Sequence, residues 1–424
     1  MSSVWAFVER MVPRGGTAFV MLLLATVVPP AEVGVYTLSM MLVMLVQTMT
    51  DGSVRGVAIS AVPSRKGRRF IAKYQWWVSW AGTAIIALGL VGIWFFLSPD
   101  LRPVIWGVTP LLFMPVATAV RVRAIADLQL HGSWQSLARH QSMATFVSLA
   151  VSIPMLYLTH SIVASSIQAV LTEVFFTWAV VRAVKRVKVQ VTDEQLQESL
   201  RRRPKPELAH MSGYQLLGWF QSQTDRFLVS IFAGPAVLGQ WSFAQNIARS
   251  AGDSLAVSTT NVLRPAIFSG DEYTQRVVGQ KLLDRALVMT LVIETCVVVI
   301  ALTVLPLMLS SEWDPAINAV PLMALSCVVT TLNWPLSVYL LKADRIAMAS
   351  PLKVVGVILA LPIALTAVHN FQLAAWLLVV RELVECVLLL ALTRKVVPWP
   401  AVLRFLGAVA VGAIAILIFQ QVRV

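Results

Sequence analysis

Residues Asp225–Phe268, DRFLVSIFAGPAVLGQWSFAQNIARSAGDSLAVSTTNVLRPAIF, decide how the chain is read. The stretch joins the end of one apolar segment to a long one of helical period, and it places charge inside apolar sequence. Its echo lies near the N-terminus. PPAEVGVYTLS from Pro29 aligns with GPAVLGQWSFA from Gly234, setting Pro30 on Pro235, Ala31 on Ala236, Gly34 on Gly239 and Tyr36 on Trp241 at one offset. After a shift of three residues, Asp51 and Pro63 are spaced as Asp253 and Pro265 are. The pattern describes two related halves, each with a polar helix near its start.

Composition sets the solvent. Charged residues make up 13 % of the chain, hydrophobic residues 58 %, and the mean hydropathy is +0.76. Soluble domains carry roughly 25 % charged residues. The apolar residues come in long blocks, which describes an all-α polytopic membrane protein, because only helices satisfy their own backbone groups in hydrocarbon. The period-two alternation of a membrane β-barrel is not seen. The net charge of +13 does not indicate nucleic acid, since the basic residues sit between the apolar blocks. Cys296, Cys327 and Cys386 lie inside apolar blocks and show neither metal spacing nor a disulfide framework. Met11–Val28 lacks a small-residue cleavage site and reads as an uncleaved first helix.

About thirteen spans fit the rule of roughly 20 apolar residues each. They centre near 11–28, 34–61, 75–97, 103–124, 138–158, 162–182, 211–232, 237–267, 286–309, 316–341, 349–368, 372–393 and 401–420. The expected organisation is a six-helix bundle over 1–184, a mixed-charge cytoplasmic linker over 185–209, a second six-helix bundle over 210–397 and a possible extra transmembrane helix over 398–424. Ser64–Lys73, Val181–His210, Lys342–Lys353 and Arg394-Lys395 are basic, whereas the alternate connectors are short and poor in Lys and Arg. The positive-inside rule therefore puts the N-terminus in the cytoplasm.

At 100° per residue, Ser242, Asn246, Arg249, Asp253, Thr260 and Arg264 fall within roughly a 60° stripe of one helix. A charge at the bilayer centre costs about 3 kcal/mol or more, so the stripe faces protein or a water-filled cavity. Two arginines favour the cavity over simple packing between helices. QSQTDR, Gln221–Arg226, is a polar run inside the preceding span, and Asp225 and Arg226 are expected to join Arg249 and Asp253. In the first half Thr37, Gln47, Asp51 and Arg55 share a face; a cavity lining and a charged pair in the headgroup zone are both open readings. Arg121, Arg123 and Asp127 read as interfacial, and Arg381 with Glu385 as a structural pair one turn apart. Glu173 and Glu294 are single acids in apolar sequence and are candidate proton carriers for ion coupling, although satisfied buried carboxyls are the commoner outcome.

VVPPAEVGVYTLSMMLVMLVQTMTDGSVRGVAI in the first half and DRFLVSIFAGPAVLGQWSFAQNIA in the second carry a resemblance, as does LLKADR at Leu340–Arg345. The chain resembles bacterial polysaccharide flippases of the Wzx type, in the multidrug/oligosaccharidyl-lipid/polysaccharide exporter superfamily. The resemblance implies two six-helix bundles around a central cavity, and alternating access in the bacterial inner membrane. It implies transfer of a polyprenyl diphosphate-linked oligosaccharide for surface or exopolysaccharide assembly, with membrane lipid, a polysaccharide polymerase and export proteins as partners. Carried over by position, Asp51, Arg55, Asp225, Arg226, Arg249, Asp253 and Arg264 would bind substrate.

Arginine suits a diphosphate or acidic sugar because its planar fork binds oxyanions in pairs of hydrogen bonds. An ion-coupled multidrug antiporter of the same superfamily is the first alternative, and it calls for unpaired acids and aromatics. A membrane-embedded glycosyltransferase or polymerase is the second, and the short outer connectors argue against it. No catalytic triad, phosphate-binding glycine loop, metal or cofactor motif is visible, so no enzymatic activity is expected.

Overall fold

A computed structural model of the chain describes residues 2–55, 57–58, 65–185, 204–268, 272–343, 345 and 348–423. Among them the regular elements are all helical. The long helices are α1 (Ser2–Ala25), α2 (Pro30–Gln47), α3 (Arg65–Phe96), α4 (Met114–Leu130), α5 (Trp134–Thr159), α6 (Val163–Val184), α7 (Pro204–Phe232), α8 (Gly234–Phe268), α9 (Glu272–Thr303), α10 (Asp314–Lys342), α11 (Ala349–Ala367), α12 (Phe371–Thr393) and α13 (Trp399–Arg423). The chain divides into two compact units, Met1–Gln223 and Thr224–Val424, with the division inside α7.

Among the described residues, eight helical stretches are long and apolar enough to cross a membrane: Pro30–Asp51, Arg69–Phe96, Pro99–Leu130, Trp134–Thr159, Val163–Val184, Arg276–Met308, Ser311–Leu340 and Trp399–Gln421. The last of these is the extra helix near the C-terminus. Neither α8 nor α12 is among the eight: Gln240, Gln245, Asn246, Arg249 and Asp253 lower the hydropathy of the first, and Arg381, Glu382 and Glu385 crowd charge into the second. Large apolar side chains stand outward in numbers far beyond the isolated ones that soluble proteins expose, Phe96 at 94 % and Leu307 at 86 % among them. Lipid covers them in a multi-pass membrane protein.

Local chemistry sets the helix ends. Pro30 starts α2 at a position where its missing N–H is not needed. Gly234 turns the chain from α7 into α8 with φ +82°, a conformation that side chains disfavour. Asn370 is extended, and its side-chain oxygen accepts from the Leu373 N–H at 2.9 Å, which caps α12. The fourth span is not one helix. Pro99–Leu101 and Thr109–Phe113 are 3₁₀ turns on either side of the short helix Val104–Val108, and regular α-helix resumes at Met114. Pro99, Pro103, Pro110 and Pro115 remove the N–H donors that a continuous helix needs.

At the end of α2 the backbone widens into a π-helical segment, Thr48–Val54, where the Arg55 N–H reaches back five residues to the Thr50 carbonyl. Such segments re-aim side chains and are frequent at functional sites. Here the segment carries Asp51.

In the first unit, Val54, Val57, Ile71, Val122, Ala126 and Leu208 pack one end of α2, α3, α4 and α7 into a core. In the second, α10 is the axis. Its apolar span is 89 % buried, against 22 % for that of α9. Residues Leu325–Leu340 of α10 meet α8, α9, α11, α12 and α13 in one apolar cluster. Helix α13 belongs to this unit: Phe405 is 1 % exposed in that cluster, and Arg404 Nη2 lies 3.0 Å from Asp284 Oδ2 of α9.

Candidate functional site

Each unit holds its own buried polar cluster. In the second unit the cluster starts on α7. Asp225, 1 % exposed, accepts at Oδ2 from Gln245 Nε2 at 2.7 Å and from the Trp241 indole at 3.3 Å. Arg226 donates through Nε to Gln245 Oε1 at 2.7 Å and through Nη2 to Asn246 Oδ1 at 3.5 Å. The polar run on α7 thus docks on α8 one turn before Arg249. Among the described residues no carboxylate comes within ion-pair distance of Arg226.

Arg249 and Asp253 are one turn apart, with Nε 3.6 Å from Oδ1. Arg249 also reaches Thr330 on α10 at 3.5 Å and Glu382 on α12 at 3.9 Å. Glu382 is the centre that periodicity did not reveal. It is 4 % exposed and takes Arg381 Nη2 at 2.9 Å and Thr330 Oγ1 at 3.1 Å, while Asn333 donates to its backbone carbonyl at 3.1 Å. Arg381 therefore pairs with its sequence neighbour and not with Glu385, as one-turn spacing had suggested. Spacing along one helix misses the two neighbouring helices that bring Arg249 and Thr330 to Glu382.

The stripe on α8 thus holds together through Asn246, Arg249 and Asp253, whereas Ser242 is fully buried and Thr260 bonds back to the Ala256 carbonyl at 2.7 Å. The Arg264 side chain lies outside the described residues.

Glu294 projects from α9 toward Gly252 on α8. It is 4 % exposed, and no N–H or O–H donor among the described residues reaches either carboxylate oxygen; its polar neighbour is the Cys327 thiol. A methyl group built on Gly252 would meet Cys327 Sγ of α10, and would lie 2.7 Å from Glu294 Oε1. The three helices approach this closely because residue 252 has no side chain. Gly252→Val is expected to cost about 1–3 kcal/mol by overpacking. The comparison is Gly92→Val, where a Cβ meets only open space. Thermal unfolding in detergent should show a lower transition for the first and not for the second; equal shifts would remove the close-approach argument.

The cluster of the first unit has one cation and two acids. Arg121 on α4, 6 % exposed, lies between Asp51 Oδ2 at 3.0 Å and the carboxylate of Glu173 on α6. Glu173 is also reached by Gln47 and Thr118 at 3.4 Å, and the guanidinium stands 5.4 Å above the Phe176 ring. Arg121 is thus buried and not interfacial. Asp51 and Glu173 meet through it, while Arg55 forms no ion pair among the described residues. Local sequence does not announce this role, because the partners of Arg121 are 70 and 52 residues away.

Solved structures share the fold. A lipid II flippase, MurJ, in an inward closed conformation superposes with a TM-score of 0.70 at 12 % identity, over 99 % of this chain and 92 % of the other. An inward-facing multidrug resistance MATE family transporter of the MOP superfamily gives 0.60 at 14 % identity over 96 % and 99 %. A MOP superfamily transporter from Pyrococcus furiosus, described as having a binding pocket of reverse polarity, gives 0.62 at 15 % identity over 96 % of each chain. No curated protein sequence matches. What these structures share with the chain is the helical fold. Residues 23–318, well over half of the chain, match the family described as polysaccharide biosynthesis protein, and the chain belongs to that family.

Proposed function

We propose that the protein is a flippase that moves a polyprenyl diphosphate-linked oligosaccharide across the bacterial inner membrane by alternating access, with its N-terminus in the cytoplasm. The observation that carries this reading is Arg226. It is a partly buried cation bonded to two neutral amides, and no carboxylate comes within ion-pair distance of it among the described residues. A guanidinium in that setting gains most from an anion with paired oxygens, such as a diphosphate or an acidic sugar. Arg249 lies one turn further along the same wall and supplies a second cation. Asp225 and Asp253 orient the two arginines, and Asp51, Arg55 and Arg264 would line the route in the roles their positions suggest. A structure described as a lipid II flippase shares the fold.

The antiporter alternative draws on the MATE folds and calls for acids left open to a cationic drug. Asp225, Glu173 and Glu382 are each already engaged by donors, and Glu294, which is not, is enclosed at 4 % exposure, which favours the anionic substrate. Partners in polysaccharide assembly, such as a polymerase, belong to the same proposal. The function is that of a transporter and not an enzyme.

In proteoliposomes, Arg226→Gln is expected to slow translocation of lipid-linked oligosaccharide by about 10- to 100-fold, the loss of one charge-assisted contact. The protein should remain folded, because the amides of Gln245 and Asn246 can pair with glutamine. Translocation at the intact rate would refute an anion site at Arg226. Export of cationic drugs, with no lipid moved by the intact protein, would select the antiporter.

A further inference from the structure

Glu294 takes no part in the anion site, yet it sits against it. Its carboxyl is enclosed by three helices, and no N–H or O–H donor among the described residues reaches either oxygen. The polar group beside it is the Cys327 thiol, a weak donor that is itself fully buried. An ionised carboxylate enclosed in this way lacks the hydrogen bonds that make a buried charge tolerable. Among the described residues no three His, Cys, Asp or Glu side chains gather as metal ligands, so the donor set does not describe a metal site.

The charged groups facing Glu294 come from α8, where Arg249 stands one turn before Gly252 and Asp253 directly after it. From α10 the facing group is Cys327. On α9 itself, Cys296 is exposed on another face. Helix α13, on the other flank of α9, directs Arg404 to Asp284, ten residues or about 15 Å along the helix from Glu294.

Arg249 is the loosely held partner in this arrangement. Its contacts with Asp253, Glu382 and Thr330 run from 3.5 to 3.9 Å, whereas Arg381 grips Glu382 at 2.9 Å. A guanidinium held only by long contacts can be redirected by one new charge nearby.

We propose that Glu294 is a proton-binding site, protonated in the arrangement seen here, and that release of its proton draws Arg249 toward α9 and so rearranges the anion site. The Glu294 O–H bond breaks, the proton passes to water, and no electron moves. The carboxylate left behind competes with Asp253 and Glu382 for the same guanidinium. Proton binding stands on the geometry of Glu294 alone; its link to transport rests on the flippase reading above.

Infrared spectroscopy of the full chain in lipid nanodiscs tests the site. The C=O stretch of a protonated carboxylic acid should be present in the intact protein and lost in Glu294→Gln, which keeps the shape and the neutral charge of the protonated acid. A band of unchanged intensity in Glu294→Gln would overturn the proposal. Translocation then tests the linkage: a pH gradient should accelerate lipid movement by the intact protein and leave Glu294→Gln at its gradient-free rate. Full stimulation of Glu294→Gln would overturn the linkage. If the intact protein moves no lipid-linked oligosaccharide, the substrate reading fails, while the infrared band still decides the proton site.

Discussion

Arg121→Met is expected to destabilise the first unit by about 3–5 kcal/mol, the usual penalty for removing one partner from a buried ion pair. Asp51 and Glu173 reach Arg121 from the π-helical end of α2 and from α6, and their side chains are 25 % and 14 % exposed. Without the guanidinium, two acids face each other, with Gln47 and Thr118 as the remaining donors to Glu173 among the described residues. The triple variant Asp51→Asn, Arg121→Met, Glu173→Gln removes all the charges together and should recover most of the loss, because the attraction between the groups largely offsets their desolvation. Thermal unfolding followed by tryptophan fluorescence reads both. A single variant as stable as the intact protein would show that Arg121 does not hold α2, α4 and α6 together.

Much of this fold is readable from sequence, because each apolar block must satisfy its own backbone in lipid. The stripe of Asn246, Arg249 and Asp253 is equally readable, since helical period places them on one face, and the polar run ending in Asp225-Arg226 lies close enough in sequence to suggest its docking on α8. The hidden residues are those whose meaning comes from other helices. Arg121 looked interfacial because it closes a span, and nothing local announces Glu173, 52 residues on. Glu382 stays hidden beside Glu385 because spacing along one helix cannot register Thr330 on α10 or Arg249 on α8. The π-helical segment at Asp51 is likewise a product of packing, since TMTDGSV has no residue that requires it.

Glu382→Leu is expected to be as damaging in the second unit as Arg121→Met is in the first. The carboxylate is 4 % exposed and holds Arg381, whose side chain is 7 % exposed. Leucine leaves Arg381 buried with no carboxylate within ion-pair distance among the described residues, again a loss of about 3–5 kcal/mol. The double variant Arg381→Met, Glu382→Leu removes the whole pair and should unfold near the temperature of the intact protein. A double variant as unstable as Glu382→Leu would place the loss in shape and not in charge. The recovered double variant also separates stability from function. It takes from Arg249 the acid at 3.9 Å and leaves it Asp253 at 3.6 Å, while Arg226 keeps both of its amide partners. If Glu382 serves only to neutralise Arg381, the stable double variant should move lipid-linked oligosaccharide at the intact rate. If it also holds Arg249 in place for an anion, translocation should fall although the fold has returned. The long contacts around Arg249 favour the fall, because a guanidinium held by three weak partners loses its position when one of them is removed.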